Sequence, residues 1–380
     1  MRICFFGTYT VAEGYPVNRF LVNGLRESGV EVEECREELW EGFLHVAFRQ
    51  TKGKRLARLA LRAVRCYVRL IWHYWKTGDH ACVIVGYPGY FDVFLARFLN
   101  LFKRRQIVLV AFISLYDTIV IDREQLAVES WKAKALKWID RMAFARADLV
   151  LVDTRQQGDY FANLFGLQRD RFERSFVGHE FDCYEKGQVA KGRSNKYGVL
   201  FFGTYVPLHG IDLILDAAEL LRGEPDIEFT LIGNGQLYPE MREQAEVRNL
   251  TNIRFVDTWI EAEELAEQVH AADVCLGIFG RTEKAARVIP YKVFGALALK
   301  KPVVTRDSPV IRELLADGES VLLCREGTGR ELADAILKLR DRPEETARLA
   351  RQGYAAYREH ASPGAVGNSL LNILEKRIGG

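Results

Sequence analysis

The richest chemistry in this chain lies between Gly277 and Thr305, where the sequence reads GIFGRTEKAARVIPYKVFGALALKKPVVT. A β-type run ends in a glycine turn, and the following loop delivers Lys284, Arg287 and Lys292 around Pro290, where a helical pattern begins. A helix N-terminus attracts anions through its unbonded N–H groups and its dipole, so three cations gathered there suit a diphosphate. Solvated loop charge is the alternative, since lysine and arginine are mostly exposed. Their crowding at the carboxyl end of a strand favours phosphate.

A repeat shows which elements must position such a site. Cys4-Phe5-Phe6-Gly7-Thr8-Tyr9-Thr10 returns as Leu200-Phe201-Phe202-Gly203-Thr204-Tyr205-Val206. Each copy is an apolar β run closed by glycine and followed by an amphipathic stretch, Val17 to Leu25 and Ile211 to Leu221, which reads as strand, loop, helix. Further short buried strands are expected at Cys82–Gly86, Ile107–Phe112, Leu149–Asp153, Glu228–Ile232, Ile253–Val256, Val274–Gly277 and Pro302–Thr305, alternating with helices. This is the pattern of an α/β protein with a parallel, doubly wound sheet in each half. Two such sheets facing each other would carry their ligands in a cleft, outside the carboxyl ends of the strands. The polar Lys186 to Gly198 segment is the expected linker. The domains are then 1–187, joined by a last helix in 362–380, and 188–361. In the first glycine loop, Gly7, Glu13, Gly14 and Tyr15 are candidate contacts to an acceptor, because a missing side chain lets backbone approach a ligand.

Composition narrows the function. A formal charge of +2 over 380 residues predicts no general affinity for nucleic acid. The seven cysteines are scattered, with no Cys-x-x-Cys pair and no zinc spacing, so neither a metal nor a disulfide framework is expected. No Gly-x-Gly-x-x-Gly follows either opening strand, and no Gly-Lys-Ser/Thr forms a P-loop. No apolar run approaches the ~20 residues that span a bilayer, and no secretory signal is visible. A cytoplasmic location is the expectation.

One stretch departs from this ordinary composition. No acidic residue lies between Glu41 and Asp79, while Lys54, Arg55, Arg58, Arg62, Arg65, Arg69 and Lys76 recur at helical spacing. Leu56, Leu59, Ala60, Ala63, Val64, Tyr67, Ile71, Tyr74 and Trp75 fall largely on another face, with Trp72 near the boundary. Two readings stand side by side. Either the helix is solvated with its apolar face in the core, or it meets anionic lipid on the inner face of the plasma membrane.

The phrases Phe202-Gly203-Thr204-Tyr205-Val-Pro207-Leu208-His209-Gly210, Leu231-Ile-Gly233-Asn-Gly235, Ala272-Asp273-Val-Cys-Leu-Gly and Pro290-x-Lys292 to Lys301-Pro-Val-Val resemble glycosyltransferase family 4. That resemblance implies a GT-B fold of two Rossmann-like domains. It also implies retaining transfer from a nucleoside diphosphate sugar, with the donor in the second domain and the acceptor in the first. Gly203, Gly210 and Gly233 take up the family's donor-loop positions, and Thr204 and His209 stand where it commonly has two cations. Arg287 and Gly295 stand where it has two glutamates, so this is a divergent branch whose cations have moved to Lys284, Arg287 and Lys292. Glu283 is then the nearest acid that could contact the sugar. Asp117 and Tyr116 lie where the family often has a histidine by the reacting sugar, and either orient hydroxyls there or serve as helix capping.

The expected function is sugar transfer to an acceptor hydroxyl, on a lipid-linked or cell-envelope glycan precursor, without cofactor or metal. A nucleotide-sugar epimerase or hydrolase of the same fold is one alternative, and a non-catalytic sugar-binding protein another.

Overall fold

The computed structural model of the chain describes residues 1–11, 17–39, 54–179, 196–258 and 260–378, without the side chains of 54–57 and 378. The expected linker, apart from its last residues, and the loop residues Glu13, Gly14 and Tyr15 lie outside these, as does the side chain of Arg55.

The chain forms two compact units, Met1–Phe176 with Pro363–Gly380, and Val177–Ser362. In the first unit the strands are β1 (Arg2–Gly7), β2 (Glu31–Arg36), β3 (Cys82–Val85), β4 (Gln106–Val110), β5 (Leu149–Val152) and β6 (Phe172–Arg174). They form one sheet in the order β2-β1-β3-β4-β5-β6, with every pairing parallel. The helices of this unit are α1 (Val17–Glu27), α2 (Lys54–Lys76), α3 (Asp92–Leu99), α4 (Trp131–Arg146), α5 (Arg155–Phe165) and, returning from the chain's end, α12 (Pro363–Ile378). Helix α12 lies on α1 at contact distance because glycines meet there. A Cβ on Gly367 would stand 1.9 Å from the Gly24 carbonyl oxygen.

In the second unit the strands are β7 (Tyr197–Phe202), β8 (Ile227–Ile232), β9 (Ile253–Val256), β10 (Val274–Leu276), β11 (Val303–Arg306) and β12 (Leu322–Cys324). Their order is β12-β11-β10-β7-β8-β9, again all parallel. The helices are α6 (Ile211–Leu220), α7 (Tyr238–Val247), α8 (Ala262–Ala271), α9 (Tyr291–Ala298), α10 (Gly329–Asp341) and α11 (Pro343–His360). Each unit is thus a doubly wound α/β sheet, with central strands such as β3, β5 and β10 apolar and buried on both faces.

The repeated phrase produces a repeated structure. Gly7 and Gly203 close β1 and β7 with φ of 136° and 142°, values that disfavour any side chain. Tyr9 and Tyr205 each set an edge against the phenylalanine four residues earlier, Phe5 at 5.0 Å and Phe201 at 6.2 Å between centroids.

Helix α2 corrects one expectation. Its buried seam is Cys66, Leu70 and Tyr74, whereas Val64 and Trp75, grouped with Tyr74 on one apolar face by their spacing, are exposed. The helix has more apolar residues than its contact with the sheet can cover.

Candidate functional site

In a doubly wound sheet the ligand crevice opens where the strand order reverses, between the loops that leave two adjacent strands in opposite directions. In the second unit that point lies between β7 and β10, which pair directly. The loop leaving β7 carries Gly203, Thr204, His209 and Gly210. The segment leaving β10 carries Glu283, Lys284, Arg287 and Pro290, and delivers Lys292 as the second residue of α9. The fold therefore brings the donor-site candidates of both segments to one end of one sheet.

Backbone contact welds the two segments together. A Cβ on Gly210 would lie 2.5 Å from the Gly280 nitrogen, and one on Gly280 would lie 2.3 Å from the Leu208 carbonyl oxygen. Phe279 N–H donates to the His209 carbonyl at 3.0 Å, and Arg306, from the end of β11, donates to the Gly280 carbonyl. Gly233, after β8, backs onto the first loop, with its Cβ position 2.1 Å from the Gly203 carbonyl oxygen. Within this frame the turn Lys284–Ala286 is capped by Thr282, whose hydroxyl accepts from Ala285 N–H at 3.3 Å.

Lys292 is the centre of the arrangement. Its Nζ is buried, has no hydrogen-bond partner, and sits 3.8 Å from the centroid of the Phe201 ring. A Cβ placed on Gly203 would be 2.8 Å from that amine and 3.3 Å from His209 Cε1, so the glycine gives both side chains their room. Burial drives the Lys292 pKa well below its ordinary value. His209 Nδ1 donates to the Thr204 carbonyl, and its ring meets Phe201 edge-on at 5.6 Å. Lys284 and Arg287 are buried as well, while Thr204 and Glu283 are exposed. The start of α9 is held by His179, whose ring stacks on Tyr291 at 4.0 Å and whose carbonyl accepts from Tyr357 at 2.6 Å. Burial pushes this imidazole down to about 3, so it stays neutral.

The first-unit candidates are placed differently. Gly7 makes room for Asp92, the first residue of α3; its Cβ position is 2.7 Å from Asp92 Oδ2. Asp92 accepts from Thr8 N–H at 2.7 Å, from the Thr8 hydroxyl, and from Tyr67 at 2.8 Å. Asp117 and Tyr116 are buried at the start of a wide π-type turn, Asp117–Asp122. That turn is anchored by Asp140 of α4, which accepts from the Ser114 hydroxyl at 2.6 Å and from Tyr116 N–H at 2.8 Å. Burial raises the Asp140 carboxyl to about 6. Phe201, Arg306, Asp92 and Asp140 were missed by sequence reasoning. For Asp92 the available signal was an acid opening an apolar helix, after a strand that neighbours β1.

Comparison with known proteins agrees with the fold. Residues 196–342 match the family model described as Glycosyl transferases group 1. An alpha-D-kanosaminyltransferase of Streptomyces kanamyceticus is 23% identical over 298 residues, 76% of this chain and 74% of that protein. Among solved structures, HepE of Anabaena, in complex with UDP, superimposes with a TM-score of 0.68 at 16% identity, covering 99% of this chain and 100% of that one. Sucrose-phosphate synthase of Thermosynechococcus elongatus gives 0.69 at 15%, covering 100% and 99%. The two parallel-sheet units have the GT-B fold, and with a glycosyl transferases group 1 domain in the second of them the chain is a glycosyltransferase.

Proposed function

We propose that the chain transfers a sugar from a nucleoside diphosphate sugar to an acceptor hydroxyl on a lipid-linked or cell-envelope glycan precursor, with retention of configuration and with protein cations in place of a metal. The observation that carries the donor reading is the buried, unpartnered Lys292 amine facing Gly203 and His209 at the reversal point of the second sheet. HepE, solved with UDP and with UDP-glucose, supports a nucleotide-sugar donor on the same fold.

The proposed chemistry follows from charge. As the glycosidic bond breaks, negative charge grows on the leaving diphosphate, and fixed cations aimed at that charge stabilise it without reorganising. Lys292, Lys284 and Arg287 supply the cations, and the first N–H groups of α9 supply dipoles. Gly203 and Gly210 let the backbone approach the phosphates. Glu283, which is exposed, reaches toward the sugar, and Asp117 with Tyr116 and the residues Glu13 to Tyr15 serve the acceptor.

A panel of uridine, guanosine, adenosine and thymidine diphosphate sugars, each incubated with and without isoprenoid-linked saccharides, tests this. Acceptor-dependent release of the nucleotide with an anomerically retained product is expected for at least one donor. Nucleotide release at the same rate without acceptor, or epimerised donor as the product, would overturn it.

A further inference from the structure

Exposed apolar surface is unevenly distributed over this molecule. Of the large apolar side chains that the described residues expose, all but Met1, Leu220 and Val247 lie between Leu61 and Trp138. They belong to α2, α3, α4 and the segments between them. These three helices cover the same face of the first sheet, since residues of all three share one buried core with β3 and β4.

Helix α2 divides into three sectors. Cys66, Leu70 and Tyr74 form the buried seam. Leu61, Val64, Val68, Trp72 and Trp75 form a ridge at three- and four-residue spacing, each side chain between 53% and 76% exposed. Arg58, Arg65, Arg69 and Lys76 run beside that ridge and are exposed too. Lys76 lies over the Trp72 ring at 3.4 Å, and Arg69 makes a long 3.9 Å pair with Glu37. Arg62 is the exception, turned to the Glu38 carbonyl at 2.8 Å. At its C-terminal end α2 is tied to the turn after α3, where Tyr74 donates to Asn100 at 2.8 Å. That turn exposes Leu101 and, at 96%, Phe102, followed directly by Lys103 and Arg104. An apolar ridge of this size is a liability in water and marks a contact surface.

We infer that this ridge of α2, continued by the Leu101–Arg104 turn, lies in the interfacial region of an anionic lipid bilayer, with indoles at the headgroup level and arginines against lipid phosphates. Amphipathic helices with aromatic and aliphatic residues beside arginine and lysine bind in this manner. A second copy of the chain fits the surface poorly, because a symmetric interface would bring like-charged stripes together. Nucleic acid fits poorly as well, since the centre of the patch is aliphatic. Among the described residues no helix is long and apolar enough to cross a membrane, so the contact is with the surface alone.

The test uses the full chain and no donor or acceptor, which separates it from the sugar-transfer reading. Co-sedimentation with phosphatidylglycerol/phosphatidylcholine vesicles is expected, with a blue shift in tryptophan emission, and with weakening as salt rises. Vesicles of phosphatidylcholine alone should bind little. The triple variant Arg58→Glu, Arg65→Glu, Arg69→Glu should lose about a hundredfold in partitioning, at roughly fivefold or more per cation. Trp72→Ser with Trp75→Ser should lose at least about tenfold. Both variants change exposed positions and should melt with the wild type. Equal binding to neutral and anionic vesicles, or none to either, would overturn the inference. So would a concentration-dependent dimer in sedimentation that Trp75→Ser dissolves.

Discussion

The two copies of the Phe-Gly-Thr-Tyr phrase end in opposite chemistry. Across the reversal point of each sheet, the helix that follows the neighbouring strand points one ionisable side chain at the glycine. In the first unit this is Asp92, 2.7 Å from the Gly7 Cβ position, with bonds from Thr8 and Tyr67. In the second it is Lys292, 2.8 Å from the Gly203 Cβ position, over the Phe201 ring and without a hydrogen-bond partner. A buried charge met by several donors is a structural device, whereas a buried amine met by none lacks compensation until an anion arrives. One ancestral-looking loop thus serves stability in one unit and, on our proposal, binding in the other.

Lys292→Met breaks the comparison most severely. Removal of one preorganised cation should lower kcat/KM about 10²- to 10³-fold, roughly 2.7–4 kcal/mol. Arg287→Ala should cost a similar amount. Because the methionine also removes an unpaired buried amine, the free protein should melt a few degrees higher. Turnover within about threefold of wild type for both variants would take these residues out of the site. Asp92→Ala should do the reverse. It leaves Thr8 N–H and the Tyr67 hydroxyl without their acceptor, so stability should fall by about 2–3 kcal/mol, while nucleoside diphosphate affinity stays within about threefold. Denaturant unfolding and calorimetric titration of the same preparations separate the two effects.

The contrast explains what could be read before the structure. Strand–helix alternation, the reversal-point loops and the cation cluster were legible because period, glycine and charge are local signals. Strand β2, which carries Glu31, Glu33 and Glu34, was not, because it is an edge strand that buries only Val32 and Cys35. Strands β6 and β12, three residues each, were not read either. The burial of Lys292 against Phe201 is a tertiary fact. The order of residues placed Lys292 at a helix start but did not show it buried, while Lys300, eight positions on, is exposed. In α2 the helical period was legible but the sector facing the core was not, because apolar residues occupy two sectors and only one fits the sheet.

Proton linkage sharpens the difference between the two ionisable side chains. The folded-state pKa of Lys292 is depressed by burial, so the free protein holds fewer protons there than the unfolded chain does. Stability therefore rises with pH between the folded and the unfolded values, and Lys292→Met should flatten that rise. A bound diphosphate reverses the shift, so binding should take up protons at pH values between the Lys292 pKa of the free protein and that of the complex, and should weaken as pH rises across that interval. Titrations in buffers of different ionisation enthalpy read this directly. A binding enthalpy independent of buffer would mean that the amine is already charged.

The smallest expected effect concerns the ribose. Gly295 lies within α9, buried, at the position where the resembled family carries the glutamate for the two ribose hydroxyls. A carboxylate holding both hydroxyls contributes about 1.5–3 kcal/mol per charged hydrogen bond. Without it, selectivity falls to the base and the diphosphate, and a 2′-deoxy nucleoside diphosphate should bind within about tenfold of the ribonucleotide. Calorimetry on the wild type compares the two directly. A deoxy penalty beyond about a hundredfold, near 2.7 kcal/mol, would show another side chain on the ribose hydroxyls. The loop leaving β10 would then be matched to the family in the wrong register. The role of Lys292, which rests on its own burial and neighbours, would stand.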